Sequence, residues 1–132
     1  MRLALVGATG FLGRSLAASL AADGHDLVLF SRRPAAVVAP PRARAVAWPG
    51  SQARPESLAA EIGGADVVIN LAGRSINCRY NAAHRREIVE SRVRSTHVVG
   101  ATIANLCAAS AGLDAVLHVR IWCLIVVMHK AP

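Results

Sequence analysis

The chain has 132 residues, with 15 Lys and Arg against 8 Asp and Glu, five His and three Cys. At about 150 residues per domain there is room for one buried core, but not for a cofactor domain beside a separate substrate domain. A hydrophobic share of 54% excludes a disordered chain, and 4% aromatics argue against a base-stacking nucleic-acid surface. Three Cys without a CxxC pair exclude a zinc ribbon and supply no disulfide framework, which points to a reducing, cytoplasmic compartment. The net charge of +7 is an arginine charge, because Lys130 is the only lysine. Such an excess suits phosphate-bearing partners, and it also fits the codon bias of a GC-rich coding sequence. No run of five like charges marks a basic tail.

Two segments mimic targeting signals. Arg2, an apolar stretch and small residues at 17–22 imitate a secretory signal. The glycine spacing described below accounts for the same residues better. Residues 121–128 form an unbroken run of eight apolar residues, far short of the roughly 20 needed to span a bilayer. No membrane and no nucleic-acid partner is therefore expected.

In chain order, residues 3–6 predict a short buried strand that ends at a glycine. Residues 11–22 carry Leu12, Leu16 and Leu20 at helical spacing, with Gly24 as a C-terminal stop. Residues 27–30 predict a second strand, and Pro34, Pro40 and Pro41 mark a loop. Residues 43–48 predict a third strand, bounded by Pro49 and Gly50. A short helix is expected over 55–62, with Pro55 in its first turn and Gly63-Gly64 at its end. Val67, Val68 and Ile69 place a fourth strand at 66–71. Residues 82–109 read as one long helix with Ile88, Arg92, Val99, Ile103 and Leu106 near one stripe. Gly112 precedes a fifth strand at 115–119.

Strands alternating with helices imply right-handed crossovers and a parallel sheet covered on both faces. The expected fold is a Rossmann-like, doubly wound α/β sheet in the order 3-2-1-4-5, truncated after about the fifth strand. On this reading residues 1–119 form the domain. Residues 120–132 form an apolar tail that leaves the far edge missing or rebuilds it.

The strongest motif is Gly7-Ala8-Thr9-Gly10-Phe11-Leu12-Gly13, directly after the first strand and opening the first helix. Gly7 permits the tight turn, Gly10 removes a side chain where backbone must approach a pyrophosphate, and Gly13 lets helix and sheet pack closely. The helix N-terminus presents free N–H groups and partial positive charge to phosphates. This spacing in this context predicts a dinucleotide site. At the end of the second strand, an NAD site places an acid on the ribose 2′-hydroxyl. Here stand Ser31-Arg32-Arg33, and a guanidinium pair suits a 2′-phosphate, so NADP is expected over NAD. Asn70-Leu71-Ala72-Gly73 closes the fourth strand. Its small residues leave room for a cofactor ribose, while Asn70 equally suits a strand end whose backbone groups need partners.

With these residues in view, the sequence resembles the extended short-chain dehydrogenase/reductase superfamily. The stretch from Arg79-Tyr80 through Ile88, followed by Glu90-Ser91-Arg92 and Thr96, is similar to its sugar-nucleotide-epimerase-like branch, the NAD-dependent epimerase/dehydratases. The resemblance covers residues 1 to about 110. It implies a Rossmann fold and an NADP-type cofactor, and it leaves the substrate open. It also implies that Arg92 faces the cofactor cleft.

The departures are as informative. The superfamily uses a Tyr-x-x-x-Lys pair and a Ser or Thr after the fifth strand, in which the lysine lowers the pKa of the acid/base tyrosine. The one tyrosine here, Tyr80, is followed four residues later by His84 and precedes the long helix. Lys130 has Val126 four residues before it. No catalytic residue is assigned, and the chain reads as a truncated or frame-altered member whose substrate-binding half is absent. Cys78, Cys107 and Cys123 read as incidental thiols, and His84, His97, His118 and His129 lack metal-ligand spacing. Arg86 with Glu90, and Glu90 with Arg94, are spaced to pair on a solvated helix face.

Two function classes follow. One is an NADP-dependent epimerase, dehydratase or reductase whose cofactor half is present here. The other is a non-catalytic NADP-binding sensor or vestigial module. The missing Tyr-x-x-x-Lys pair favours a cofactor-binding domain without turnover of its own. The apolar run 121–128, as an unpaired edge, is expected to promote self-association.

Overall fold

The computed structural model describes residues 1–48, 50, 54–79, 81–109, 117–122 and 125–130. The elements in order are β1 (Arg2–Val6), α1 (Phe11–Ala22), β2 (Asp26–Ser31), a 3-10 turn (Pro34–Ala36), β3 (Ala43–Ala47), α2 (Pro55–Ile62), β4 (Val67–Asn70), α3 (Ala82–Ala109), β5 (Leu117–Trp122) and β6 (Ile125–Lys130). All three helices occupy the residues that the apolar periodicity predicts. The 3-10 turn lies inside the proline-marked loop, where Pro34 presets its first position.

One six-stranded sheet runs in the order β3-β2-β1-β4-β6-β5. β1 pairs in parallel with β2, Leu3 facing Leu27 and Val6 facing Phe30, and with β4, Leu3 facing Val67 and Val6 facing Asn70. β2 pairs in parallel with β3. These four strands carry the expected 3-2-1-4 order of a Rossmann-like fold. Asp66 clasps the start of the β1–β4 pair, its carboxylate accepting from the Arg2 amide at 2.7 Å.

The far edge differs from the expectation. β6 lies beside β4 and runs antiparallel to it, and β5 pairs antiparallel with β6 on the outside. β5 therefore runs in the same direction as β4, as a fifth parallel strand would, but one position further out. β4 pairs with Val127, Met128 and His129 of β6, and all six residues of β6 pair with β5. Most of the apolar run is thus paired within this sheet rather than left as a free edge. β5 spans the expected boundary at 119/120.

Alternation along β1 and β2 divides the core in two. Leu3, Leu5, Leu27 and Leu29 face α1 and pack with Ala8 and Ala17. Ala4, Val6, Val28 and Phe30 face the other way, with Trp48, Val68, Leu58 and Ile62 of α2, and Val98, Val99 and Ile103 of α3. Trp48 closes the β2–β3 end of this layer, its ring edge-on to Phe30 at 6.3 Å and 84°. α2 and α3 are tied by more than apolar contact. The Thr102 hydroxyl, fully buried, lies 2.9 Å from the Val98 carbonyl and 3.3 Å from the Pro55 carbonyl.

The stripe on α3 is broader than its leucines and isoleucines show. Its buried residues are Ile88, Ser95, Val98, Val99, Thr102 and Ile103, so two hydroxyls sit among the apolar positions. Of the two expected pairs on its outer face, Arg94–Glu90 forms at 3.1 Å. Glu90 takes Arg94, so Arg86 makes no ion pair among the described residues, and the neighbouring Glu87 pairs with Arg74 from the loop after β4. No helix among the described residues is long and apolar enough to cross a membrane. Among the same residues no three metal-ligating side chains cluster.

Two stability measurements check this architecture. Leu5 is fully buried at the centre of the α1-side layer. Leu5→Ala removes its contacts and leaves a cavity, with an expected loss of about 3 kcal/mol in urea unfolding. The second measurement concerns pH. A hydrogen bond from Arg42 holds the Asp26 carboxyl below its ordinary value of 3.8, and one from Arg44 holds Glu61 below 4.5. A carboxyl depressed on folding stabilises above its unfolded pKa, and that contribution is lost as pH falls through the folded value. Both pairs are solvated, so each effect is small. The drop in urea midpoint on acidification from about pH 6 to about pH 3 should be shallower in Asp26→Asn than in the unaltered chain.

Candidate functional site

The carboxyl ends of β1, β2 and β4 lie side by side, and the candidate residues converge there. β1 leaves the sheet through Gly7, whose φ of +83° is a left-handed conformation that side chains disfavour. The turn closes with the Gly10 amide donating to the Gly7 carbonyl at 3.1 Å. A Cβ on Gly7 would lie 2.8 Å from the Ala72 nitrogen and the Leu71 carbonyl carbon. One on Gly13 would lie 2.5 Å from the Gly7 oxygen and 2.7 Å from the Ala8 backbone. Both positions therefore permit backbone to touch backbone. Gly10 is different, because its Cβ would meet only the Gly7 oxygen, at 3.3 Å, with the rest of its surroundings open.

Gly10 is also the N-cap of α1, and no side chain caps that end. The first helical bond runs from the Arg14 amide to the Gly10 carbonyl at 3.0 Å. Among the described residues, the amides of Phe11, Leu12 and Gly13 have no hydrogen-bond acceptor in the protein. Three unmatched donors at the positive end of a helix form an anion-binding geometry. Thr9 is exposed at the turn, and Phe11 and Leu12 form an apolar lip, 83% and 64% exposed.

At the end of β2, Ser31 is buried, and its hydroxyl accepts a hydrogen bond from the Arg33 amide at 3.1 Å. The serine therefore shapes the bend that carries Arg32 and Arg33. Both guanidinium groups are exposed, and neither is in an ion pair among the described residues. The arginines that do pair, Arg42, Arg44, Arg74 and Arg94, lie elsewhere.

At the end of β4, Asn70 is buried and serves the backbone. Its Oδ1 accepts from the Ala72 amide at 3.0 Å, and its Nδ2 lies 3.3 Å from the Ser95 hydroxyl and 3.5 Å from that of Thr96. Leu71 extends the β1 pairing, its amide donating to the Val6 carbonyl at 2.8 Å. The room expected beside Gly73 is taken by protein, since a Cβ there would lie 3.1 Å from Cγ of Arg92. Arg92 lies across Gly73 and donates from Nη1 to the Ile88 carbonyl at 3.1 Å and the Arg74 carbonyl at 3.4 Å. A shallow concavity of about 400 Å³ is lined by Arg92, Val93, Thr96 and His97. Another, of about 290 Å³, lies at the opposite edge of the sheet, lined by Arg2, Asp26, Arg42, Arg44 and the β2–β3 backbone. Size alone does not mark the site, because this second hollow lies away from the glycine turn.

Sequence reasoning named Ser91 only as part of a family-like stretch and did not foresee the structural role of Ser91 and Ser95. Both are on α3, four residues apart, and both bond to the backbone of the loop after β4. Polar residues at i and i+4 on an otherwise apolar stripe were the available signal. Asn81 caps α3, its Oδ1 accepting from the His84 amide at 2.8 Å. Tyr80 and Cys123 lie outside the described residues.

The sequence profile of the NAD(P)H-binding family matches residues 7–112. The epimerase family protein YfhF of Bacillus subtilis is 36% identical over 99 residues, which is 75% of this chain and 31% of that protein. The crystal structure of human epimerase family protein SDR39U1 with NADPH superimposes with a TM-score of 0.57 at 31% identity, covering 79% of this chain and 32% of that one. The oxidoreductase ylbE from Lactococcus lactis gives a TM-score of 0.53 at 28% identity, covering 58% of this chain and 35% of that one. The chain thus spans about a third of the length of the relatives it matches.

The three glycines differ in a way that stability can measure. Gly7→Ala combines a positive φ with a backbone clash and should cost more than about 2 kcal/mol. Gly13→Ala forces two backbone segments apart and should cost about 1–3 kcal/mol. Gly10→Ala meets one oxygen and should stay within about 0.5 kcal/mol of the unaltered chain in the same urea titration.

Proposed function

The chain belongs to the NAD(P)H-binding family, as an epimerase-like member of the extended short-chain dehydrogenase/reductases, and from that premise we propose that it binds NADP at the carboxyl edge of β1, β2 and β4. The observation that carries this reading is the N-terminus of α1, whose three unmatched amides follow the Gly7–Gly10 turn and have no side-chain cap. The pyrophosphate would rest on those amides, and Gly10 is the position where an added side chain would stand in its way. Arg32 and Arg33, exposed and outside any described ion pair, would take the 2′-phosphate of the adenosine ribose. That human SDR39U1 was solved with NADPH agrees with this choice. Phe11 and Leu12 would shield the bound pyrophosphate from water, and Leu71 and Ala72 would line the opposite wall.

When bound, NADPH supplies a transferable hydride at its nicotinamide ring. What these residues do is bind and orient. A positioned acid/base contributes typically 10²–10⁴-fold to such reactions, and the sequence contains no Tyr-x-x-x-Lys pair to act as one. We therefore read this chain as a cofactor-binding domain without measurable reductase or epimerase turnover of its own.

Calorimetry of NADPH and NADH against the full chain tests the assignment. NADPH should bind more tightly, and the Arg32→Ala, Arg33→Ala double variant should lose about ten- to a hundredfold for NADPH alone, as a charge-assisted contact of roughly 1.5–3 kcal/mol requires. Gly10→Val should abolish binding of both cofactors while the helical circular dichroism is retained. Equal affinities in the unaltered chain would reject the phosphate assignment, and unaltered titration by Gly10→Val would reject the site.

A further inference from the structure

The loop after β4 is held at alternate residues by side chains of α3 and by Asn70 of β4. The Ala72 amide donates to Asn70 Oδ1 at 3.0 Å, and the Ala72 carbonyl lies 3.0 Å from the Ser95 hydroxyl. The Arg74 amide donates to the Ser91 hydroxyl at 2.8 Å, and the Arg74 carbonyl accepts from Arg92 at 3.4 Å. Between them Gly73 lies under the Arg92 side chain, where a Cβ would leave only 3.1 Å. Three residues of α3, together with Asn70 of β4 at the Ala72 amide, thus hold both backbone groups of the first and last members of this three-residue loop. The loop is in turn pressed against Gly7, where an added Cβ would lie 2.8 Å from the Ala72 nitrogen. The grip and the glycine turn are therefore parts of one packed unit.

The strand order determines which half of a dinucleotide this unit would serve. β2 and β4 flank β1 on opposite sides. With the pyrophosphate on α1 and the 2′-phosphate at the end of β2, the second nucleotide must run over the end of β4. We propose that Ser91, Arg92 and Ser95 are positioning residues that fix the 72–74 loop as the floor for the nicotinamide-side half of the cofactor. This rests on the NADP reading above. It gives α3 a part in cofactor binding through the loop it holds. It also accounts for a half-buried arginine whose Nη1 bonds to the Ile88 and Arg74 carbonyls, and a buried serine whose hydroxyl bonds to the Arg92 and Ala72 carbonyls and to Asn70.

Two probes separate this role from general loosening. NADPH reaches both halves of the site, and adenosine 2′,5′-bisphosphate reaches only the β2 side. Each would be titrated calorimetrically into the full chain and into Ser95→Ala, Ser91→Ala and Arg92→Lys, the last keeping an aliphatic stem over Gly73. The expected result is NADPH affinity lower by roughly 2- to 30-fold, the range for groups outside ligand contact, with bisphosphate affinity unchanged. Ser91→Ala removes a contact at a half-exposed position and keeps the test open if the buried Ser95→Ala fails to fold. Unchanged NADPH affinity in the folded variants overturns the proposal, as does an equal loss for both probes, which would mean general destabilisation. Absence of NADPH binding by the unaltered chain overturns the underlying reading, and the inference with it.

Discussion

Everything at the carboxyl edge depends on one steric constraint, the contact of backbone with backbone around Gly7. The turn after β1, the first turn of α1 and the loop after β4 meet at distances that leave no space for a Cβ on Gly7 or Gly13. Because Gly7 sits at φ +83°, the chain can leave the sheet and enter α1 within four residues. The consequence is electrostatic as well as steric. The N-cap of α1 is Gly10, which has no side chain to accept from the helix, so the first three amides are left without an acceptor in the protein among the described residues. In water such donors are solvated at little cost; against a phosphate they become charge-assisted hydrogen bonds.

Around that point the sheet behaves as a buried parallel sheet should. β1 and β2 are apolar on both faces, and successive residues supply two separate layers, one under α1 and one under α2 and α3. Polar groups enter this interior only where backbone needs them. Asn70, Ser31 and Ser95 each satisfy a strand-end or loop amide or carbonyl, and no buried side-chain polar atom among the described residues is left without a partner. Those same three residues define the heights of the loops that frame the candidate site. Stability and site geometry are thus set by the same hydrogen bonds.

Arg42, Arg44, Arg74 and Arg94 each have a carboxylate partner, and Arg32 and Arg33 project from the end of β2 without one among the described residues. In the proposed reading that exposed pair would meet the adenosine ribose, which Rossmann-like sites hold at the second strand end. The match extends through residue 112 and covers only about a third of the epimerase family relatives. Binding chemistry is therefore the part of their activity that these residues address.

Much of this was legible in the residues. Apolar runs bounded by glycines and prolines place the first four strands, and period-3.6 patterns place all three helices, because tight turns and short loops leave little freedom between them. The Gly7–Gly10–Gly13 spacing is legible for the same reason: only glycine satisfies those backbone contacts, so the steric demand is written directly in residue type. The epimerase-like resemblance rests on that motif together with the α3 segment. What the residues alone did not reveal was relational. A serine on a helix reads as a weak helix former, and only the tertiary structure shows Ser91 and Ser95 meeting loop amides and carbonyls contributed some twenty residues earlier. Gly73 reads as space for a ligand, and only the packing shows that Arg92 fills it. Arg86 reads as the partner of Glu90, and only the loop's return shows where the neighbouring carboxylate goes. The far edge of the sheet was decided last and least locally. An apolar run is compatible with a parallel strand, a free edge or part of an antiparallel pair, and only the tertiary pairing of β6 with β4 and β5 distinguishes these.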